Sequence, residues 1–231
     1  MKKFLLLTFI ASIIGILIPS KIYATDITVG ATTWYAWWEA EQGGNKMDAD
    51  PTFMYGPALA VKFNDDFNLT FVYLYGKFDA EEAGGKVKRN DSDLALNYRV
   101  HDYFKVFAGV KYMTFSSPDF DHDGIGPGLG LSATYPVTEN LFLLATLSGF
   151  HLWGKEKYTN NHPSDDYKEY GFNSTLSLAY YIASASTTVS LGGRFQYIKT
   201  DFDSNEHTNG DSSMKSKIYG VTLTATYTFS I

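Results

Sequence analysis

The chain has 231 residues, a formal net charge of −6, 17 tyrosines, 17 phenylalanines, 20 glycines and no cysteine. This length fits one domain of substantial size. The absence of cysteine excludes disulfide bonds, thiolate metal sites, a cysteine nucleophile and lipid attachment to an N-terminal cysteine. Abundant aromatic residues and glycines in short alternating runs are typical of an all-β protein that meets a lipid interface.

The first 24 residues have the order of a secretory signal peptide. Lys2 and Lys3 precede a long apolar run, and a cleavage site follows at Ala24. This order predicts that residues 1–24 are removed on export and that residues 25–231 form one domain, the alternative being a permanent inner-membrane anchor. Because no second apolar run of this length follows, we expect any membrane insertion to use strands.

Ten segments of alternating polarity follow along the chain. They are separated in turn by long polar loops and by short turns. A run that alternates apolar and polar residues predicts a strand with one apolar and one polar face. In chain order the predicted strands cover residues 27–38, 55–63, 69–78, 92–100, 104–115, 126–135, 141–153, 170–182, 188–198 and 219–229.

The last segment shows the pattern most clearly. From Tyr219 to Phe229, every second residue is apolar, and the residues between them are Gly220 and four threonines. Because successive side chains point to opposite faces of a strand, one face is suited to lipid and the other to a barrel interior. The rows of residues 69–78 and 141–153 do not separate by polarity, so the orientation of these two strands stays open.

The alternation of long loops and short turns predicts the topology. Outer-membrane barrels place short turns in the periplasm and long loops outside the cell. An even number of strands leaves both termini on the periplasmic side, where the first and last strands can pair and remove the free sheet edges. The sequence therefore predicts an all-β fold, a single up-and-down antiparallel transmembrane β-barrel of ten strands, with eight strands as the alternative.

Aromatic residues near the strand ends predict two girdles at the membrane interfaces. The residues assigned to the girdles are Trp34, Tyr35, Trp37, Trp38, Tyr98, Tyr112, Tyr135, Tyr180, Tyr219, Tyr227 and Phe229.

The signal peptide, the ten segments, the girdles and the ending Tyr227-Thr228-Phe229 resemble a small bacterial outer-membrane β-barrel protein. The chain is similar in class to opacity-type proteins and to the transmembrane domain of outer-membrane protein A, with the strand number of the omptin barrel. The resemblance covers the mature chain and rests on pattern, without a family motif. It implies the outer membrane of a diderm bacterium, contact with membrane lipid and lipopolysaccharide, and insertion by the barrel assembly machinery. The chain departs from the class pattern because Ser230 and Ile231 follow the last aromatic residue.

Charged and polar residues at inward positions predict the lining of the lumen. Cations outnumber the one clearly inward acid, so a water-filled lumen would favour anions. The interior of an eight- to ten-stranded barrel can, however, be filled by side chains, and a packed interior with paired charges is the preferred interpretation. The predicted lining residues are Lys62, Asp93, Asn97, Arg99, Lys105, Lys111, Arg194 and Gln196.

Asp119, Asp121 and Asp123 match the first half of a calcium loop and are followed by a glycine. The bidentate glutamate that should close such a loop is missing, because Gly130 occupies its position. Half a motif supplies too few oxygens for a dedicated site, so a solvated acidic loop tip is the preferred interpretation and a calcium site is the alternative. The sequence predicts no other cofactor.

His151 is the one candidate for catalysis, since it ends a strand near the outer rim. A general base needs a partner within hydrogen-bond reach, and Ser148, three residues earlier on the strand, faces the opposite side. We therefore expect a non-enzymatic barrel with a structural or surface-interaction role, with narrow porin-like conductance as an option. The alternative is an outer-membrane hydrolase or lipid-modifying enzyme that uses His151 or the rim at residues 119–123.

The loops are rich in acidic residues, and the sequence contains neither a basic stripe nor a platform for stacking bases. We therefore expect no nucleic-acid partner. The ligand at the cell surface is not identified by any motif.

Overall fold

The computed structural model describes residues 25–80, 85–158, 164–203 and 213–230. The predicted signal peptide, residues 1–24, lies outside the described residues. No helix in the described part of the chain is long and apolar enough to cross a bilayer. The strands are β1 (Asp26–Gln42), β2 (Asn45–Lys62), β3 (Phe67–Ala80), β4 (Gly85–His101), β5 (Phe104–Ser116), β6 (Phe120–Pro136), β7 (Leu141–Tyr158), β8 (Asp165–Ile182), β9 (Thr187–Phe202) and β10 (Ser213–Ser230).

The ten strands form a closed barrel in which each strand pairs with its sequence neighbours. The barrel closes between the first and last strands, with pairing from Asp26 opposite Ser230 to Gln42 opposite Met214. Every strand therefore has a partner on both sides, as a membrane requires. The predicted ten-stranded, up-and-down antiparallel barrel is confirmed.

The two ends of the barrel differ. Connections after β2, β4, β6 and β8 are short and lie with the two ends of the described chain at one end, which we call the short-turn end. Strands β1, β3, β5, β7 and β9 end at the opposite end of the barrel, which we call the long-hairpin end. A single turn of 3₁₀-helix, Ala183–Ala185, forms one of the short connections.

The strands extend further at the long-hairpin end than the sequence pattern predicts. On β6, outward-facing residues are apolar from Ile125 to Tyr135, which is enough to cross a bilayer as a tilted strand. Beyond this stretch, Asp121 and Asp123 face outward on the same strand. Because both faces of a strand can be polar outside the hydrocarbon, the alternation that identifies a strand disappears there. Residues 79–91, predicted as a loop, consequently include the first part of β4.

The structure orients the two strands whose polarity pattern is uninformative. On β3, Leu74 and Phe78 point into the barrel and are buried, and on β7 Phe150 and Leu152 do the same. Their alternate neighbours face outward. Polarity does not separate the two rows because the lumen towards the long-hairpin end is itself apolar. The buried apolar side chains packed there, which we call the apolar layer, include Trp34, Trp38, Met54, Leu74, Phe78, Val87, Met113, Phe115, Phe150, Leu152, Ile198 and Ile218.

The pairing of β1 and β10 shows the predicted faces. The threonine row of β10 points into the barrel, where the Thr224 hydroxyl lies 2.7 Å from that of Thr32, and the Thr228 hydroxyl lies 2.9 Å from that of Thr28. The apolar row of β10 is exposed on the outside. The alternating pattern of this strand therefore separates lumen from lipid as predicted.

Candidate functional site in the barrel lumen

A buried cluster of charges crosses the middle of the lumen. Asp91 on β4 lies at its centre and accepts a hydrogen bond of 2.5 Å from Lys111 on β5 and one of 3.1 Å from Arg89. Gln196 on β9 donates a further bond of 3.2 Å to Asp91. Lys111 also lies 3.1 Å from Asp93. The buried carboxylate is thus compensated by hydrogen bonds and by cations, as a charge in a low-dielectric interior requires.

The charge cluster connects opposite walls of the barrel. β4 and β9 lie five strands apart in either direction around the ring. Arg89 on β4 nevertheless donates a hydrogen bond to the side-chain oxygen of Gln196 on β9. Arg194 on β9 lies 3.6 Å from Asp91 on β4. Side chains therefore meet across the full width of the lumen.

Aromatic rings hold the three cations of the cluster. Arg194 lies over the ring of Trp34 at 4.6 Å from its centroid, and Arg89 lies over Phe115 at 4.5 Å. Lys111 lies 5.4 Å from the centroid of a third ring, that of Phe150. Such contacts attract a cation to the ring face and are strongest where water is excluded. They anchor the charge cluster to the apolar layer beside it.

A second buried polar cluster lies nearer the long-hairpin end, beyond the apolar stretch of β6. His122 Nδ1 lies 2.8 Å from Glu156 on β7, and its Nε2 lies 3.1 Å from Glu169 on β8. The His122 ring stacks on Tyr167 with centroids 3.8 Å apart. Burial lowers the pKa of His122, but the hydrogen bonds and charges of the two carboxylates outweigh it and raise this pKa to about 9. His122 is therefore an imidazolium that donates to both acids at neutral pH.

A vestibule of about 240 Å³ lies at the long-hairpin end of the barrel, next to the second cluster. Its walls are largely apolar, and His122 and Glu156 contribute to its lining. Tyr158 also lines it and donates a hydrogen bond to Glu156. The aromatic wall residues are Trp38, Phe115, Phe120 and Phe202.

A larger cavity of about 410 Å³ lies on the other side of the charge cluster, towards the short-turn end. Lys105, Lys111, Arg194 and Asp93 are its charged lining residues. The remaining polar lining consists of small hydroxyl and amide side chains: Asn68, Thr70, Asn97, Ser132, Thr134, Thr146, Ser148, Asn173 and Thr175.

The sequence also matches a known protein family. The model of the family described as "Putative beta-barrel porin-2, OmpL-like" matches residues 26–230. The chain belongs to this family. Together with the closed ten-stranded fold, this membership makes it a small outer-membrane β-barrel protein of bacteria.

This member of the porin-2 family is also similar to solved barrels. The outer-membrane protease OmpT from Escherichia coli is 11% identical, with 91% of this chain and 99% of that chain covered and a TM-score of 0.63. The translocator domain of the autotransporter NalP from Neisseria meningitidis is 11% identical, with coverage of 94% and 92% and a TM-score of 0.46. The attachment invasion locus protein Ail of Yersinia pestis is 12% identical, with coverage of 90% and 100% and a TM-score of 0.39. At these identities the OmpT match shows the fold alone, and a search of curated proteins finds no match.

The predicted lumen residues of this family member all lie on inward-facing positions, but in different surroundings. Lys111, Asn97 and Gln196 are buried, and Arg194 is nearly so. Asp93 and Lys105 line the cavity. Lys62 and Arg99 lie at the short-turn end, where Lys62 pairs with Asp65 at 2.9 Å and Arg99 pairs with Asp66 at 3.3 Å.

Two of the predicted girdle residues lie inside the barrel, which corrects the sequence-based assignment. Trp34 is completely buried under Arg194, and Trp38 donates a hydrogen bond of 2.7 Å to Ser216 in the interior. Their neighbours on β1, Tyr35 and Trp37, face outward. β1 carries aromatic residues on both faces at this level, so polarity could not tell inside from outside. The other residues assigned to the girdles also face outward: Tyr98, Tyr112, Tyr135, Tyr180, Tyr219, Tyr227 and Phe229.

The three aspartates of the half calcium motif do not converge. Asp119 lies in the turn before β6, whereas Asp121 and Asp123 belong to the strand and face outward. A strand carries alternate carboxylates along one face, and a calcium loop must instead wrap them around the ion. Among the described residues, no group of three or more acidic or histidine side chains is arranged to hold a metal ion.

His151, the candidate for catalysis, faces outward from β7. Its ring lies 4.3 Å from that of Trp153 and 4.4 Å from that of Tyr170, measured between centroids. Both neighbours are aromatic side chains on the outer surface. The position is therefore that of an interfacial ring, and not of a general base facing a substrate pocket.

Sequence reasoning missed the centre of both polar clusters. Arg89 and Asp91 fell within a predicted loop, although Val87, Arg89, Asp91 and Asp93 continue one row of a strand with period two. That period was the available signal. His122, Glu156 and Glu169 come from three different strands, and nothing in the local sequence connects them.

Proposed function

We propose that the protein is a non-enzymatic outer-membrane barrel with a closed lumen, whose role is structural or in surface interaction. In this proposal the long-hairpin end faces the cell exterior, and the short-turn end, with both termini, faces the periplasm. Lipid and lipopolysaccharide surround the outward apolar residues.

The observation that carries this proposal is the contact between opposite walls. Arg89 bonds to Gln196, and Asp91 pairs with Arg194, between strands that lie opposite each other. The apolar layer adds a second closure, in which the rings of Trp38 on β1 and Phe115 on β5 lie 5.5 Å apart between centroids. An ion that crosses the lumen would have to displace both layers.

Displacing the charge cluster is energetically costly. Arg89 and Asp91 are almost completely inaccessible to solvent, and Lys111 is nearly so. Leaving one partner of such a buried pair uncompensated typically costs about 3–5 kcal/mol. This cost supports a lumen that stays closed unless a ligand or a conformational change provides compensation.

The arrangement of the histidines supports a non-enzymatic role. Both ring nitrogens of His122 are engaged by carboxylates, so neither is free to accept a proton from a substrate. His151 faces outward beside aromatic rings. The similarity to the protease OmpT is one of fold at 11% identity and carries no catalytic residues over to this chain.

Surface interaction is assigned to the vestibule at the long-hairpin end. Its largely apolar walls enclose about 240 Å³ above the apolar layer. Concave sites lined by aromatic side chains with a few fixed polar groups are the usual form of a ligand pocket. His122 and Glu156, which are fixed by their mutual hydrogen bond, supply such polar groups.

Narrow conductance is the second candidate, and two observations favour it. The family is described as a porin family. The cavity of about 410 Å³ also occupies the part of the lumen towards the short-turn end. Conductance would require the Arg89–Gln196 contact and the apolar layer to separate.

Planar-bilayer recording of the purified protein distinguishes the two candidates. Folding is first verified by the change in electrophoretic mobility between unheated and boiled samples. The closed-lumen proposal expects no steady single-channel openings from inserted, folded protein. Steady openings with a reproducible ion selectivity would overturn it and favour the porin-like alternative.

A further inference from the structure

We propose that the cavity towards the short-turn end binds a small oxyanion of the phosphate or sulfate class, held by Arg194, Lys105 and Lys111. This site is separate from the vestibule, and it does not require the lumen to conduct.

Arg194 is the first observation that points to an anion. Its side chain is 10% exposed and lies against Trp34, and it lines the cavity. The nearest carboxylate oxygens, of Asp91 and Asp93, lie 3.6 and 3.7 Å from Nη2, beyond good hydrogen-bond distance. Its Nε has no hydrogen-bond partner among the described residues. A guanidinium fork with unused donors matches the paired oxygens of a phosphate or sulfate.

Lys105 is the second observation. It lines the cavity wall and has no salt-bridge partner among the described residues. The neighbouring cations are paired, because Lys62 contacts Asp65 and Arg99 contacts Asp66. Lys105, which lies opposite Arg99 in the pairing of β4 and β5, therefore contributes positive charge to the cavity wall that no described carboxylate balances.

The cavity contains more positive than negative charge. Lys105, Lys111 and Arg194 line it together with one acid, Asp93. Arg89, Lys111 and Arg194 share the two carboxylates of Asp91 and Asp93, so these three cations exceed their acids by one. Lys105 adds a further positive charge, which makes the region around the cavity net positive. Hydroxyl groups such as those of Ser148 complete a lining that can donate to several oxygens of one ligand. A tetrahedral oxyanion presents several acceptor oxygens to such a lining, whereas chloride presents a single acceptor atom.

The ligand can reach the cavity without passing the charge cluster. Asn68 and Lys105 line both this cavity and a depression of about 270 Å³ at the short-turn end. Asp26 and Lys62 form part of that depression. Entry from the short-turn end is therefore compatible with a closed lumen. A site of about 410 Å³ accommodates a tetrahedral oxyanion together with water molecules.

Isothermal titration of the purified barrel in detergent tests the proposal. Sodium phosphate and sodium sulfate are titrated separately, with sodium chloride used to keep the ionic strength constant. We expect saturable binding of phosphate or sulfate, and a rise in Tm with the same concentration dependence. Sodium chloride alone should give neither result.

Matched lysine variants locate the binding site. Lys105→Gln should weaken oxyanion binding about tenfold, the size expected for one charged hydrogen bond. Lys62→Gln removes a paired lysine at the opening and should leave the affinity within about twofold. Arg194→Lys keeps the charge and loses the fork, and it should also weaken binding.

Two results would overturn the proposal. One is the absence of saturable oxyanion binding beyond the chloride response in the wild-type protein. The other is equal binding by wild-type protein, Lys105→Gln and Lys62→Gln, which would mean non-specific attraction. If Arg194→Lys does not fold, the comparison of the two lysine variants decides alone.

Discussion

Arg89 on β4 donates a hydrogen bond to Gln196 on β9, on the opposite wall of the barrel. Both side chains are completely buried, and both also bond to Asp91. Side chains of the described strands alone close a lumen this narrow. The contact also fixes the separation of the two walls, so the charge cluster should contribute to the stability of the barrel as well as to the proposed closure of the lumen.

The pH dependence of stability should reveal the His122 cluster. A histidine whose pKa is raised from 6.5 to about 9 contributes stability that is fully present below pH 6.5 and lost as the pH rises through 9. We expect the free energy of unfolding of the wild-type protein to fall by about 3 kcal/mol across this window relative to His122→Gln. Urea unfolding in detergent at a series of pH values measures the difference. Parallel profiles for the two proteins would mean that His122 is not held as an imidazolium.

Two glycines on β7 form a matched pair that tests the packing around Tyr167. A Cβ at Gly154 would collide with the Tyr167 ring and with the Asp123 backbone, whereas a Cβ at Gly149 would meet nothing closer than a carbonyl oxygen at 3.8 Å. Gly154→Ala should therefore destabilise the barrel by about 1–3 kcal/mol, and Gly149→Ala should have little effect. Thermal unfolding of both variants provides the comparison. Equal effects would indicate that Tyr167 does not pack as described.

The tryptophans test which face of β1 meets lipid. Trp34 and Trp38 are buried in the barrel, whereas Trp37 and Trp153 lie on outward positions. Brominated acyl chains quench the fluorescence of tryptophan rings that they can contact. We expect strong quenching of the wild-type protein in brominated lipid and little quenching of the double variant Trp37→Phe/Trp153→Phe. Strong quenching of this variant would mean that Trp34 and Trp38 face lipid, as the sequence-based assignment to the girdle predicts.

Calcium should have no specific effect on the stability of the segment at the start of β6. The carboxylates of Asp121 and Asp123 point outward along a strand, and Asp121 accepts a hydrogen bond of 2.5 Å from Ser116. The change in Tm on adding calcium to chelated protein should be the same for the wild-type protein and for Asp121→Asn/Asp123→Asn. A calcium-dependent rise in Tm that is absent from the double variant would mean that Asp121 and Asp123 bind calcium.

Alternating polarity predicted the fold because a membrane imposes it. Where the lumen is polar and the outside is apolar, as along the threonine row of β10, each strand and its orientation follow from the sequence. The prediction fails where both faces have the same character. Trp34 and Trp38 enter an apolar part of the lumen, and Arg89 belongs to a strand whose outer face is already polar. Alternation then does not show which face of the strand points into the lumen.

The polar clusters could not be predicted, because they depend on the register between strands. His122 and Glu169 are 47 residues apart, and Arg89 and Gln196 are 107 residues apart. Their contact requires barrel closure with the observed pairing. A buried cation was predicted at Lys111 from its row on β5, but its partner Asp91 lay in what the sequence suggested was a loop. Individual inward residues were thus accessible to sequence reasoning, whereas their partners were not.

A double-mutant cycle between Arg89 and Gln196 most directly tests whether the opposite walls are in contact. Arg89→Ala, Gln196→Ala and the double variant are compared with the wild-type protein by urea unfolding in detergent. Direct contact across the lumen predicts a coupling energy of about 1–3 kcal/mol, far above the value for independent sites. Effects that add to within about 0.5 kcal/mol would show that the two side chains do not meet and would contradict the closed lumen.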